Sequence, residues 1–181
     1  MWVERALTES DIPLLASIDR TEVIHHCYRV EAGELALYAD HHDMRGWPEG
    51  EAQQDAVALL ACLKRGGWLW GVFDGPALVA AVVVDSHTLH NQGMSMRQLK
   101  FLHVSLEARG LGLGGRLFAL ACEQGRRVGV DALYVSATES QNTVDFYLRQ
   151  GCCLLREPDP QLYAREPHDI HLYRPLRAKG L

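Results

Sequence analysis

The segment EARGLGLGGRL, residues 107–117, places Gly110, Gly112, Gly114 and Gly115 behind Arg109. A strand-like stretch, RQLKFLHVSL (97–106), leads into it, and Leu113, Leu117, Leu120 and Ala121 recur at helical spacing beyond it. A strand running through glycines into a helix points successive backbone N–H groups outward at the helix's positive end, which suits a phosphate. Glycines in a helix's first turn cost about 1 kcal/mol each relative to alanine. A tight turn with close helix–sheet packing accounts for one or two of the four, and a bound anion for all of them. Arg109 and Arg116 add positive charge to the same stretch.

Gly110, Gly112 and Gly115 also satisfy the dinucleotide pattern G-x-G-x-x-G. That fold needs its glycine turn after the first strand and an acidic residue ending the second. Here three or more strands precede the glycines, only 66 residues follow Gly115, and Asp131 begins a strand instead of ending one. A dinucleotide site is therefore disfavoured.

Other residues offer chemistry less specifically. Tyr147 shares a helix face with Val144, Leu148 and Gly151, so spacing alone fits a core aromatic as well as a catalytic acid. His103 titrates near the useful range for a base, but a strand histidine also packs into cores. Asp85 and Glu107 are further carboxylate candidates. The pairs His25-His26, His41-His42, His87-x-x-His90 and His168-x-x-His171 lack the companion spacing of a zinc set, so no metal is expected. Trp68 and Trp70 suit packing, while Trp47, in a loop, could line a substrate pocket.

These residues need elements to position them. A strand (3–7) precedes a helix over DIPLLASIDR, with Ser10-Asp11 as its cap. Residues 22–40 form a hairpin-like region around Glu31-Ala32-Gly33, and HHDMRGWPEGE is a loop. A helix carrying Ala56, Leu59, Leu60 and Leu63 ends at Gly66-Gly67. Strands 68–74 and 77–87 flank Gly75-Pro76, and strand 97–106 follows. After the glycine helix come a strand (132–138), a helix (140–151) closed by glycine, the strand CCLLRE and a last strand halted by Pro175. This order predicts a mixed α/β fold: a central, mostly antiparallel sheet flanked by helices, with one β-α-β crossover at the glycines.

Nothing divides the 181 residues, so a single domain over 1–181 is expected. A hydrophobic content of 48% and a charged content of 23% are ordinary for a soluble protein. The net charge of −5 disfavours nucleic acid as a partner. Neither a signal peptide nor an apolar run of membrane-spanning length is present. Five scattered cysteines then suggest reduced thiols and a cytoplasmic location.

The stretch HVSLEARGLGLGGRLFALA resembles the coenzyme A signature of the GNAT superfamily of N-acetyltransferases: arginine or glutamine, two residues, glycine, one residue, glycine or alanine. Arg109, Gly112 and Gly114 match it, and Leu106 stands where many members have proline. Downstream, ALYVSATESQNTVDFYLRQGC resembles the family's strand–helix–strand ending in Tyr-x-x-x-Gly, met by Tyr147 and Gly151. Ser140 takes the place of a common asparagine and can still cap the helix. Cys152 fills an aromatic slot after the glycine.

The resemblance implies acetyl transfer from acetyl-CoA to the primary amine of a small molecule or peptide. By the same resemblance, backbone groups of Arg109, Gly110, Leu111, Gly112, Leu113, Gly114 and Gly115 hold the pyrophosphate. Leu102, His103 and Val104 run beside the pantetheine arm, and Ser140 is a further cofactor position. It further implies the Val104 N–H as oxyanion donor and Tyr147 as general acid, and leaves His103 as a candidate base. A homodimer is compatible with this, and a non-catalytic acyl-CoA sensor of the same fold is the alternative.

Overall fold

A computed structural model describes residues 1–177. Two tight turns of one kind set its hairpins. Ala32-Gly33 and Gln92-Gly93 all have positive φ, the backbone of a two-residue type I′ turn. The first joins β2 (Glu22–Glu31) to β3 (Glu34–Met44); the second joins β5 (Ala77–Asn91) to β6 (Met94–Val104). The remaining strands are β1 (Trp2–Ala6), β4 (Trp68–Asp74), β7 (Ala132–Ala137), β8 (Cys153–Leu154) and β9 (Ile170–Pro175). The α-helices are α1 (Glu51–Lys64), α2 (Leu113–Arg127), α3 (Gln141–Arg149) and α4 (Pro160–Arg165).

Seven strands form one sheet in the order β1-β4-β5-β6-β7-β9-β8, and β2-β3 form a separate hairpin. Every pairing in the sheet is antiparallel except β6 with β7, which α2 connects as a crossover. The expected mixed α/β architecture is thus present. One sheet face buries Val82, Leu99, Leu133 and Leu172 against α2 and α3. The other buries Leu69, Ala81, Val83 and Phe101 against α1 and the segment Glu9–Ser17. A smaller cluster joins Met96 and Tyr134 to Leu162 of α4.

The structure corrects five of the expected elements. The expected helix over residues 11–20 is a 3₁₀ segment, Glu9–Ser17, begun at Thr8. Thr8 is the N-cap, and Asp11, the third residue of the segment, completes a capping box with it. The Asp11 carboxylate accepts the Thr8 N–H at 2.8 Å and a bidentate Arg5 pair at 2.7 Å, while Pro13 removes a donor an α-helix would need. Strand β3 runs through His41, His42 and Asp43, which composition alone places in a loop. The meander strands β5 and β6 meet at Gln92-Gly93, beyond the expected bounds. The strand expected over CCLLRE shrinks to Cys153–Leu154, and α4 was missed although Asp159-Pro160 is a start signal. The Asp159 carboxylate accepts the N–H groups of Gln161 and Leu162 at 3.0 Å.

Candidate active site

The site begins with an interrupted ladder. Strands β6 and β7 pair only from Met96–Ala132 to Leu99–Val135, although β6 continues to Val104 and β7 to Ala137. Beyond Leu99 the two diverge and leave a gap between parallel neighbours. A bulge helps. On β5, Val83 pairs with Phe101 and Val84 with Leu99, so Lys100 is the extra residue. Thereafter Phe101 and His103 face the α1 side, while Leu102 and Val104 face α2.

Backbone polarity in the gap follows from the ladder. The Ser105 N–H donates to the Val79 carbonyl at 2.8 Å, which makes 79–105 a hydrogen-bonded pair. Antiparallel pairs alternate, so Ala80–Val104 and Val82–Leu102 are non-bonded pairs. Leu102 and Val104 therefore turn their N–H and C=O groups toward the gap. The Val104 carbonyl is taken by Arg109 Nε at 2.9 Å. Its N–H remains available to an oxygen placed in the gap.

Past β6 the chain turns through Gly110 (φ +76°) and Gly112 (φ +83°), a conformation that costs other residues. A Cβ at either position would meet nothing within 4 Å. Gly112 precedes α2, and its carbonyl accepts the Arg116 N–H at 3.0 Å. The N–H groups of Leu113, Gly114 and Gly115 thus have no helical acceptor, and no side chain caps them. Open space over left-handed glycines, beside bare N–H groups, fits a pyrophosphate.

Gly114 and Gly115 are different. A Cβ on Gly114 would lie 3.3 Å from the Phe146 ring, and one on Gly115 would lie 3.4 Å from Gln150. Their absent side chains let α3 approach α2. The packing explanation therefore accounts for this pair, and the anion explanation for Gly110 and Gly112.

Arg109 does not reach toward a phosphate. Its guanidinium donates to the carbonyls of Val104, Thr21 and Asp19 at 2.9, 2.8 and 3.1 Å, stapling the glycine turn to the entry of β2. Arg116 is likewise engaged, with Glu4. We expect Arg109→Ala to lower the unfolding free energy by about 1–2 kcal/mol, because three bonds to a charged but exposed donor are lost. Urea denaturation measures this. Unchanged stability with much weakened coenzyme binding would return Arg109 to a phosphate contact.

The cleft these elements enclose has a volume of about 860 Å³ and runs from Leu102–Val104 past Gly110–Gly115 to α3. Glu22 and Val23 of β2 close one wall. Among the expected cofactor positions, Leu102, His103, Val104, Arg109, Gly110, Gly112, Leu113, Gly114 and Gly115 line it. Leu111 and Ser140 do not. The Leu111 side chain is exposed, and Ser140 is buried, accepting the Thr143 N–H as the cap of α3. Asn142, Thr143 and Phe146 take the place expected of Ser140. The spacing that marks Tyr147 contains them, since 143, 146, 147 and 150 share one face of α3. Asn142 also donates to Glu22 at 3.0 Å, joining α3 to β2. Arg149 stands exposed at the outer end.

Tyr147 is 7% exposed, edge-on to Phe118 and Phe146 at 5.7 and 5.1 Å, and lines the cleft. It is both core aromatic and cleft residue. Burial, and secondarily Cys152 and Asp169, push its phenol well above the usual range, so it holds its proton at neutral pH.

The base candidates fare worse. His103 lies against Phe101 and Trp47, with ring centroids at 4.5 and 6.0 Å. Burial first, then Arg20 and Arg109, lowers it to about 3, so it is a weak proton acceptor. Asp85 sits five residues up β5 from Ala80, roughly 16 Å from the gap at strand rise. Burial opposes its ionisation, but the His87 N–H, Lys100 and Arg65 outweigh that and hold the carboxyl below its usual range. Glu107 is exposed outside the cleft.

The remaining motifs resolve locally. His171 is buried, its Nδ1 sharing a hydrogen bond of 2.7 Å with the Tyr134 hydroxyl. Trp68 and Trp70 stack at 5.9 Å, and Trp47 Nε1 donates to the Ile18 carbonyl at 2.9 Å. Cys152 is buried and Cys153 exposed, both as free thiols. The hairpin brings Cys27, Asp40 and His42 together, with donor atoms within 4.8 Å of one another, a proximity sequence spacing did not show. Asp40 already takes His42 Nε2 at 3.0 Å. Among the described residues no helix is long and apolar enough to cross a membrane.

A mostly antiparallel sheet splayed at its one parallel pair, with a glycine turn at the N-terminus of the crossover helix, defines a mixed α/β fold with an open cleft at the splay. The model of the acetyltransferase (GNAT) family matches residues 34–152, and the chain belongs to that family. No curated protein matches its sequence. Among solved structures it resembles nourseothricin acetyltransferase, with a TM-score of 0.72 and 19% identity over 97% of this chain and 99% of that one. A proposed streptothricin acetyltransferase of Bacillus anthracis str. Ames, in complex with acetyl coenzyme A, gives 0.67 and 14% over 96% of each chain. The PaiA N-acetyltransferase of Thermoplasma acidophilum, in complex with coenzyme A, gives 0.62 and 14% over 97% of this chain and 99% of that one.

Proposed function

We propose that the protein transfers the acetyl group of acetyl-CoA to the primary amine of a small molecule or peptide, by direct attack through a tetrahedral intermediate. The observation that carries this is the gap between β6 and β7, where the free edge of Val104 faces Tyr147 across one cleft. The coenzyme supplies an activated thioester. The glycine turn and the N–H groups of Leu113–Gly115 bind its pyrophosphate. Leu102 and Val104 offer the edge of β6 to the amides of its arm, as a strand that β7 no longer supplies.

When the amine nitrogen bonds to the carbonyl carbon, negative charge moves to the carbonyl oxygen, and the Val104 N–H donates to it. As the carbon–sulfur bond breaks, the Tyr147 hydroxyl donates to the sulfur. A thiol titrates at about 8.5 in water, below a tyrosine at about 10. Complete proton transfer from Tyr147 therefore requires the departing thiolate to be raised as well, and the burial that raises Tyr147 acts on both. Neighbours of this fold are named for nourseothricin, for streptothricin and for the alanine of a ribosomal protein, so the fold accepts differing amines.

The test is thiol release from acetyl-CoA across a panel of amines: an aliphatic diamine, spermidine, lysine amide and a peptide beginning with alanine. Release with at least one amine, with acetylated product by mass, is the expected result. Tight coenzyme binding without release for any amine would instead make the protein an acyl-CoA sensor.

A further inference from the structure

An acceptor amine arrives as an ammonium ion and attacks only after losing a proton. None of His103, Asp85 and Glu107 is suited to take it. The topology brings another carboxylate to the place where one is needed. β6 and β7 are parallel, so Val104 and Ala137 lie at the same end of the sheet, and antiparallel β9 begins there. Ile170 pairs with Ala137, which puts Asp169 just past the end of β7 where the gap opens, one strand removed from β6. Ile170 and Leu172 face the α2–α3 core, while His171 faces Tyr134 on the opposite side. Asp169 lies in the bend before β9, and the charges that act on it include Glu51 of α1 and Glu166 at the end of α4, elements on that opposite side. Tyr147 comes from α3, on the α2 face. An acid on one face of the gap and a carboxylate on the other suit a reaction in which sulfur leaves one way and the amine enters the other.

The surroundings of Asp169 contain no compensation. It is half-buried, and its carboxylate has no hydrogen-bond or ion-pair partner among the described residues. The charged groups nearest it on other elements are Glu166 at the end of α4, Glu139 beyond β7 and Glu51 at the start of α1. Glu51 is itself paired with Arg20. Tyr147, which senses the Asp169 charge, holds its proton, and His168 on the same segment is exposed. From β2, Cys27 bridges to Ser140 with its thiol also raised, chiefly by burial. Repelled by three carboxylates and partly desolvated, Asp169 gains nothing structural from its charge. A cation in the gap would relieve it.

We propose that Asp169 is the general base that takes the proton from the acceptor ammonium, on the face of the gap opposite Tyr147. This rests on the N-acetyltransferase reading above. One N–H proton passes to the Asp169 carboxylate, and the freed lone pair forms the new N–C bond. The nitrogen of the tetrahedral intermediate, now carrying two hydrogens and a positive charge, gives a second proton to solvent. The C–S bond then breaks with the Tyr147 hydroxyl donating to sulfur. Solvent removes the proton from Asp169 and restores that of Tyr147.

Burial first, then Glu166, Glu139 and Glu51, pushes the Asp169 carboxyl up to about 7. A base must be ionised, so kcat/KM for the amine rises with pH through about 7, where an ordinary aspartate is already fully ionised. Asp169→Asn removes the base at nearly constant shape. We expect kcat/KM to fall by about 10²- to 10⁴-fold, the rise near pH 7 to vanish, and the acetyl-CoA Kd to stay the same. Asp169→Glu should recover part of the rate and a displaced rise, which a merely structural role does not predict. Carbon-13 NMR of the carboxyl, without any amine, should show Asp169 titrating near pH 7, and a midpoint below 5 would overturn the proposal. So would an Asp169→Asn variant within threefold of the parent at every pH, while the parent still releases thiol. No release by the parent with any amine would instead remove the transferase reading and this proposal with it.

Discussion

Replacing Tyr147 by phenylalanine is expected to lower kcat by about 10²- to 10⁴-fold, the range for losing one positioned proton donor, while acetyl-CoA binding and Tm stay close to the parent's. Phenylalanine keeps the ring that packs edge-on to Phe118 and Phe146. The hydroxyl it removes has no hydrogen-bond partner among the described residues, so no protein group is left unsatisfied. The phenol is raised first by burial, then by Cys152 and Asp169. Activity depending on its protonated form should therefore persist through pH 10 and fall only above it. Steady-state rates from pH 6 to 10.5, with the acetyl-CoA Kd measured separately, decide the matter. An unchanged kcat at every pH would leave Tyr147 as a core aromatic alone.

The cofactor half of the site was legible in the sequence because one short segment carries it. In the proposed site the backbone between Leu102 and Gly115 would do the binding, and backbone demands show as residue types: glycine where φ is positive, and a strand followed at once by a helix. Tyr147 was singled out by the resemblance of Tyr147 and Gly151 to the family's Tyr-x-x-x-Gly element, since spacing alone fits a core aromatic as well. What sequence could not show was the division among the glycines, since only the approach of Phe146 distinguishes Gly114 from Gly112. Nor did spacing show that Arg109 turns back onto Asp19 and Thr21, some 90 residues earlier, and so staples the turn.

The acceptor half was not legible, and the reason is topological. Glu22, Glu51, Glu139 and Asp169 come from four distant segments and share a neighbourhood only because β9 inserts beside β7 and the β2–β3 hairpin lies against Glu139 and Ser140. Each alone resembles a solvated surface charge. Glu22 and Glu51 are paired with Asn142 and Arg20, while Asp169 is partly buried without a partner and faces Glu166, Glu139 and Glu51.

Gly112 yields the second large expected effect, because its conformation and its surroundings make opposite demands. At φ +83° any side chain is strained, by roughly 1–2 kcal/mol in the left-handed region, yet nothing within 4 Å of its Cβ position would clash. A substitution there acts through the backbone and through whatever occupies the open space. Gly112→Val should therefore raise the KM for acetyl-CoA by about 10- to 100-fold, equivalent to about 1.4–2.8 kcal/mol. The amine KM should change by less than about threefold, because the proposed acceptor side, at Asp169, lies away from the glycine turn proposed for the pyrophosphate. Gly114→Ala makes the contrast. Its Cβ would meet the Phe146 ring at 3.3 Å, so that ring, edge-on to Tyr147, must give by a few tenths of an ångström. That variant should lose about 1–3 kcal/mol of stability by overpacking and lose kcat as well as coenzyme affinity. Urea denaturation and two-substrate kinetics on both variants separate the cases. If Gly112→Val disturbs both substrates equally, its left-handed turn is only a strand-to-helix connection, and the pyrophosphate must be held elsewhere.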